Sequence, residues 1–129
     1  MVVLITTTII AYLLLIISGV SKAVMDKINF HYSESVFVTL NGLFWNPVYS
    51  WMNKYKEGIA ALGPKFFGST KFFVWMTDTW HLFGLTRDVA FSIAFFLLGA
   101  YSTWWLALIG YALSRIIFQV FFKKIFTKI

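Results

Sequence analysis

Two short motifs carry the residue types best suited to chemistry. His31-Tyr32-Ser33-Glu34 sets an imidazole and a carboxylate three positions apart, and Asp78-Thr79-Trp80-His81 repeats the spacing in reverse order. On a helix, positions i and i+3 share a face. Each segment therefore presents one nitrogen and one carboxylate in one direction. Two such helices facing each other would supply His31, Glu34, Asp78 and His81 as a four-ligand shell. That set suits zinc, iron or manganese, and helical bundles build metal sites from such pairs. His31 and His81 are the only two histidines in the chain.

A metal held there could activate a water against an ester or phosphoester, making a hydrolase of lipid-like substrates one reading. The hydroxyls of Ser33, Ser35, Thr77 and Thr79 lie close in sequence, but no nucleophile elbow surrounds them. No phosphate loop, zincin signature or dinucleotide fingerprint is present. The alternative is structural: each pair hydrogen-bonds locally, His81 sits beside Trp80, and Asp78 caps a helix or pairs with a lysine.

The elements that must position these residues belong to a membrane. Of 129 residues, 60% are apolar, 21% aromatic and 12% charged, and the mean hydropathy is +0.78. A soluble domain of this size cannot hide so much apolar surface, whereas a bilayer is itself the apolar phase. The net charge is +6. Because the lysines flank apolar runs, anionic lipid headgroups are the expected partner and nucleic acid is not. The absence of cysteine excludes disulfides, thiolate metal sites and a cysteine nucleophile. No basic residue precedes the apolar run that follows Met1, so it reads as a retained anchor, not a cleaved signal.

The expected fold is an all-α membrane protein with three transmembrane helices over about 2–20, 72–100 and 104–122. An amphipathic interfacial helix is expected over 21–40, where Val20, Val24, Ile28, His31, Ser35 and Val38 recur at helical spacing. Residues 41–70 read as an aromatic-rich surface loop. Its turn signals are Asn41-Gly42, Asn46-Pro47, Gly58 and Gly63-Pro64. Its rings interleave with Lys54, Lys56, Lys65 and Lys71, a mixture suited to the water–lipid boundary.

Arg87-Asp88 leaves open a division of 72–122 into more spans. The lysines after the last span and those of the 21–71 region argue against it, since the positive-inside tendency places both on one side. Three spans with a cytoplasmic C-terminus satisfy that tendency, and a bacterial inner membrane is the expected location. Gly99, Tyr101 and Ser102 then sit near the opposite turn. If the boundary passes near Leu82 and Phe122, Asp88 and Arg115 lie about 9–10 Å inside the hydrocarbon. Matched depth predicts an intramembrane ion pair between them, with Arg87 snorkelling toward a polar edge.

Geometry sets a condition on the metal reading. A straight helix would lift His31 about 16 Å beyond Val20, whereas Asp78 and His81 lie within a turn of the boundary. The pairs meet only if the first helix bends back or its span runs deeper into the sequence.

Phe30-His31-Tyr32, Phe44-Trp45-Asn46-Pro47, Trp51-Met52-Asn53-Lys54-Tyr55 and Thr77-Asp78-Thr79-Trp80-His81 resemble a group of small membrane proteins of bacteria and their viruses. The resemblance covers about residues 25–85. It implies a membrane protein without an assigned activity and transfers no catalytic residue. Asn46, Asn53, Lys54 and Tyr55 are marked as candidate neighbours of the polar cluster.

Three functional readings remain. The first is a metal-binding membrane protein. The second is a non-enzymatic structural or interaction subunit, in which small residues such as Gly99, Ala100, Gly110 and Ala112 pack against partner helices or a second copy. The third is a pore-forming or lysis-type protein, which the grouping of polar residues at one boundary disfavours.

Overall fold

The computed structural model describes residues 1–128. Three of its helices are long and apolar enough to cross a membrane: α1 (Val2–Phe30), α3 (Thr79–Tyr101) and the last helical segment, Trp104–Ile125. That segment comprises α4 (Trp104–Val120) and a π-helical turn, Phe121–Ile125. A four-residue helix, α2 (Gly42–Trp45), lies in the connection between α1 and α3. The chain is an all-α integral membrane protein.

Its helix limits follow from local chemistry. α1 does not end near residue 20; it continues unbroken through Lys22, Asp26 and Lys27 to Phe30. Lys22 and Asp26, one turn apart, form an ion pair that supports the continuation. His31 leaves the helical conformation, and short 3-10 turns over Tyr32–Glu34 and Val36–Thr39 replace the expected helix to residue 40. The Ser35 hydroxyl accepts from Phe37 N and caps the second turn.

At the other side of the connection, α3 begins at Thr79, later than residue 72, because Asp78 caps it. Arg87-Asp88 lies inside α3 and makes no turn, so the three-span division is the one formed. α3 and α4 are joined at Ser102 and Thr103, beside the expected Gly99, Tyr101 and Ser102.

α1 is the central element, and both α3 and α4 pack on it more than on each other. Against α3, Ala11 and Leu15 meet Ala94 and Leu98 in a buried cluster flanked by Leu97 and Ala107. Against α4, the approach is close at two glycines. A Cβ on Gly19 would lie 2.6 Å from the Ser114 carbonyl oxygen, and one on Gly110 would lie 2.6 Å from Leu15 Cδ1. Lipid offers no hydrophobic drive between apolar helices, so close van der Waals contact at small residues is what holds them. The Tyr12 hydroxyl donates to Leu106 O at 3.0 Å near the hairpin.

Residues 31–78 form a cap at the opposite end of the bundle from the hairpin. It is a folded structure built from turns. Lys65 N donates to Lys54 O at 2.9 Å, and Lys56 N donates to Gly63 O at 3.0 Å. The Asn41 side chain caps α2, and Asn46 Oδ1 accepts from Val48 N. Gly68 is obligatory: its φ is +80° and a Cβ would lie 2.8 Å from the Phe73 ring. A second core of Val24, Ile28 and Phe37, with Tyr32, Trp45, Phe83 and Phe126 against it, fixes the cap to the helices. The chain end after α4 joins in: Val36 N donates to Phe126 O, and Lys128 N to Glu34 O.

Candidate functional site

The two His/carboxylate pairs both form, and both form locally. Asp78 is 2% exposed and precedes the first turn of α3, where backbone N–H groups lack helical acceptors. Its Oδ1 accepts from His81 N at 2.9 Å, and its Oδ2 lies 2.7 Å from His81 Nδ1. The carboxylate thereby fixes the ring through Nδ1 and leaves Nε2 as the unassigned nitrogen. The Trp80 ring meets the imidazole edge-on at 5.1 Å. His31 and Glu34 approach to only 3.5 Å, and both side chains are well exposed. The Phe122 ring lies edge-on to His31, at 5.5 Å.

Among the described residues, no three His, Cys, Asp or Glu side chains converge as an ion would require. The four-ligand shell expected from spacing is not assembled. The reason lies in the limits of α1. Because α1 stops at Phe30, His31 and Glu34 sit on a turn bonded to Lys128, whereas Asp78 and His81 open α3.

Of the residues marked as neighbours, Asn53 bonds the residue that precedes Asp78. Its amide Nδ2 donates to Thr77 O at 2.6 Å, and its Oδ1 accepts from Lys65 Nζ at 2.6 Å. Lys54 acts through its backbone, accepting from Lys65 N and from the Ser69 hydroxyl, while its ammonium lies over the Tyr55 ring. Asn46 works in the turn after α2, accepting from Val48 N. Tyr32, at the other margin of the cap, has its hydroxyl 3.4 Å from Phe37 O. Burial disfavours its phenolate and raises its pKa above the usual tyrosine value.

A second polar site is built within the spans. Lys22 on α1, Arg87 and Asp88 on α3, and Arg115 on α4 line one cleft of about 270 Å³. Ser18 and Ser114 add hydroxyls, and Phe91, Tyr111 and Phe118 form apolar walls. Asp88 and Arg115 line the same cleft, but the expected ion pair between them is not formed. Asp88 is taken by its neighbour Arg87, whose Nε and Nη2 approach Oδ1 at 2.8 and 2.7 Å. The Arg115 guanidinium lies over the Phe118 ring, 5.1 Å from its centroid. α3 and α4 pack on α1 with the cleft between them, and a sequential Arg–Asp contact forms without bridging it.

Lys22 belongs to no motif; the signal for its role is its place on α1 among Ser18, Gly19 and Ser21, residues that let another helix approach. Lys27, likewise outside any motif, is 3% exposed with its ammonium 4.7 Å from the Phe122 ring centroid.

These features define a class, a three-helix integral membrane protein with a folded cap at one end and a charged cleft between its spans. No family model, curated protein or solved structure matches the chain.

Proposed function

We propose that this chain is a non-enzymatic interaction subunit of a bacterial inner membrane. Its cap is moored in the cytoplasmic headgroup layer, and its C-terminus lies on the same side. The observation that carries the reading is the surface of the cap. Phe67 is 89% exposed and Phe72 is 77% exposed, with Val48, Trp51, Phe73 and Met76 also open, on a segment otherwise tied by hydrogen bonds. Lys54, Lys56, Lys65 and Lys71 lie among them in sequence. Rings that face outward from a folded cap are stable where water gives way to acyl chain, and the lysines suit anionic headgroups. The basic residues Lys123, Lys124 and Lys128 supply the same sign of charge at the same end of the bundle. A membrane complex would use the cap as its contact platform.

Single-cysteine labelling tests the arrangement, since the chain has no native cysteine to interfere. In inverted inner-membrane vesicles an impermeant maleimide is expected to label Lys56→Cys and to spare Thr103→Cys; in right-side-out cells the pattern reverses. Labelling of both positions from one side removes the three-span orientation. Equal release of the cap by salt from anionic and zwitterionic vesicles, followed by depth-dependent quenching of Trp51, removes the mooring.

One observation favours metal binding as a second reading. Asp78 orients His81 through Nδ1, the arrangement by which carboxylates prepare a histidine to ligate through Nε2. In that reading a second copy supplies the remaining ligands to zinc, iron or manganese. Elemental analysis of the detergent-purified chain, with and without His81→Ala, tests it. Equal metal content in the two proteins counts against it.

A further inference from the structure

We propose that the cleft lined by Lys22, Arg87, Asp88 and Arg115 binds the phosphodiester headgroup of one anionic lipid, admitted between α3 and α4. This inference rests on the chain spanning a bilayer and is independent of how the cap is moored.

Charge is the first support. The cleft holds three cationic side chains and the Asp88 carboxylate, and Asp26 pairs with Lys22 just outside it. Arg87 and Lys22 each have a carboxylate partner. Arg115 has none within 4.0 Å among the described residues; its only close charge-compensating neighbour is an aromatic face. The group therefore carries one cation in excess. A monoanion balances it, and a phosphodiester is a monoanion whose two free oxygens match the guanidinium fork.

Depth is the second. At 1.5 Å per residue, α3 measures about 20 Å from Asp88 to Tyr101, and α4 about 17 Å from Trp104 to Arg115. Tyr101, Trp104 and Trp105 at the hairpin are exposed aromatics of the interfacial kind. With that end at one boundary, the charged tier falls short of the opposite boundary, because the hydrocarbon is about 30 Å thick. An arginine held at that level without an anion is costly, and bilayers relieve such costs by drawing headgroups and water inward. A headgroup seated in the cleft supplies the missing charge where the helices place the need.

The walls supply the third. Ser18 and Ser114 are hydroxyl donors within the same lining, suited to phosphate or glycerol oxygens, while Phe91, Tyr111 and Phe118 offer apolar sides to the start of the acyl chains. A soluble anion would gain nothing from those walls. The lining thus selects a lipid phosphate over free phosphate.

Native mass spectrometry of the full chain in neutral detergent tests the site, with phosphatidylglycerol, phosphatidylcholine and inorganic phosphate as probes. One equivalent of phosphatidylglycerol is expected to be retained in preference to phosphatidylcholine. Loss of a charge-assisted contact in Arg115→Gln should weaken retention about tenfold or more. Lys54→Gln and Lys65→Gln report on headgroups held at the mooring surface, while Thr6→Ala, exposed at the far end of α1, should leave retention unchanged. Should Arg115→Gln fail to fold by circular dichroism, Lys22→Gln provides the same comparison. Equal retention of the two lipids overturns the proposal. So does unaltered retention in a folded cleft variant, or displacement of the lipid by millimolar inorganic phosphate. Loss of retention in the cap variants alone would move the lipid site to the mooring surface and likewise overturn the cleft assignment.

Discussion

Asp78 holds His81 twice, by the backbone and by the ring. One carboxylate oxygen accepts the His81 N–H that opens α3, and the other lies 2.7 Å from the imidazole Nδ1. The spacing read as half of a metal shell also makes a helix cap, whose third residue has a side chain able to reach back. The two roles share one geometry, because i and i+3 are neighbours both for ligation and for capping.

Removing that carboxylate should cost stability at the start of α3. Asp78→Ala loses an N-cap, ordinarily about 0.5–2 kcal/mol, and also leaves a part-buried imidazole N–H without its acceptor. Asp78→Asn keeps an oxygen for the backbone N–H and should recover most of the loss. Thermal unfolding followed by circular dichroism in detergent measures both. Equal melting temperatures for Asp78→Ala and the parent chain would mean that the cap carries no weight.

The tight α1–α4 contact makes a contrasting pair of glycine substitutions. At Gly19 an added Cβ would meet the Ser114 carbonyl at 2.6 Å, which backbone cannot yield cheaply. Overpacking of this kind costs about 1–3 kcal/mol, so Gly19→Ala should lower the melting temperature. At Gly99 an added Cβ would meet nothing within 4 Å. There the helix gains about 0.5–1 kcal/mol from alanine's backbone preference, and Gly99→Ala should melt at the same temperature or slightly higher. The same sign at both positions would contradict the close helix crossing.

How much of this was legible can be judged from particular residues. The three spans were, because uninterrupted apolar length is a property of sequence alone, and the charges decided that Arg87-Asp88 was no turn. The limits of α1 were less so. Helical periodicity persists from Val20 to Val38, yet the helix stops at Phe30, since Tyr32 and Phe37 turn back to pack with Val24 and Ile28. That choice depends on Trp45, Phe83 and Phe126, which lie far along the chain. Asp88 and Arg115 share a cleft, as counting along the helices suggests, but Asp88 pairs with Arg87. Depth is one-dimensional and follows from counting, whereas the pairing depends on how far apart two helices stand around a third. Lys22 entered the cleft for the same reason: which side of α1 faces α4 is set by Gly19 and Gly110, and a helical wheel does not reveal the crossing.

Tyr32 gives the cap a pH dependence at the alkaline end. Burial raises its pKa above the ordinary tyrosine value, so the folded state favours the neutral phenol. The corresponding stability is fully present below the unfolded pKa, near 10, and is lost as pH rises through the higher folded value. Parent and Tyr32→Phe proteins should therefore differ in the slope of melting temperature against pH above about 10, with the phenylalanine variant flatter. Difference absorbance of the phenolate, parent minus Tyr32→Phe, should place the missing titration above the ordinary tyrosine value. A Tyr32 titration at or below the ordinary value would contradict the burial.

Lys27 offers the sharpest test of whether the seam between α1 and α4 is selected for stability. Its side chain is buried beside Phe122, and no carboxylate lies within 4.0 Å among the described residues. Taking an ammonium out of water costs several kcal/mol, while a desolvated aromatic face returns about 2 kcal/mol or somewhat more. On those magnitudes the charge is a net liability, and an apolar side chain of similar length should do better. Lys27→Met is expected to raise the melting temperature, with Lys27→Ala lowering it through lost packing at Phe122. If Lys27→Met is instead destabilised as much as Lys27→Ala, the ammonium is satisfied by an anion from lipid or partner, and its burial is part of a binding surface. Measuring the three proteins in neutral detergent and again with phosphatidylglycerol separates these outcomes, because only the second makes the parent's advantage depend on the anionic lipid.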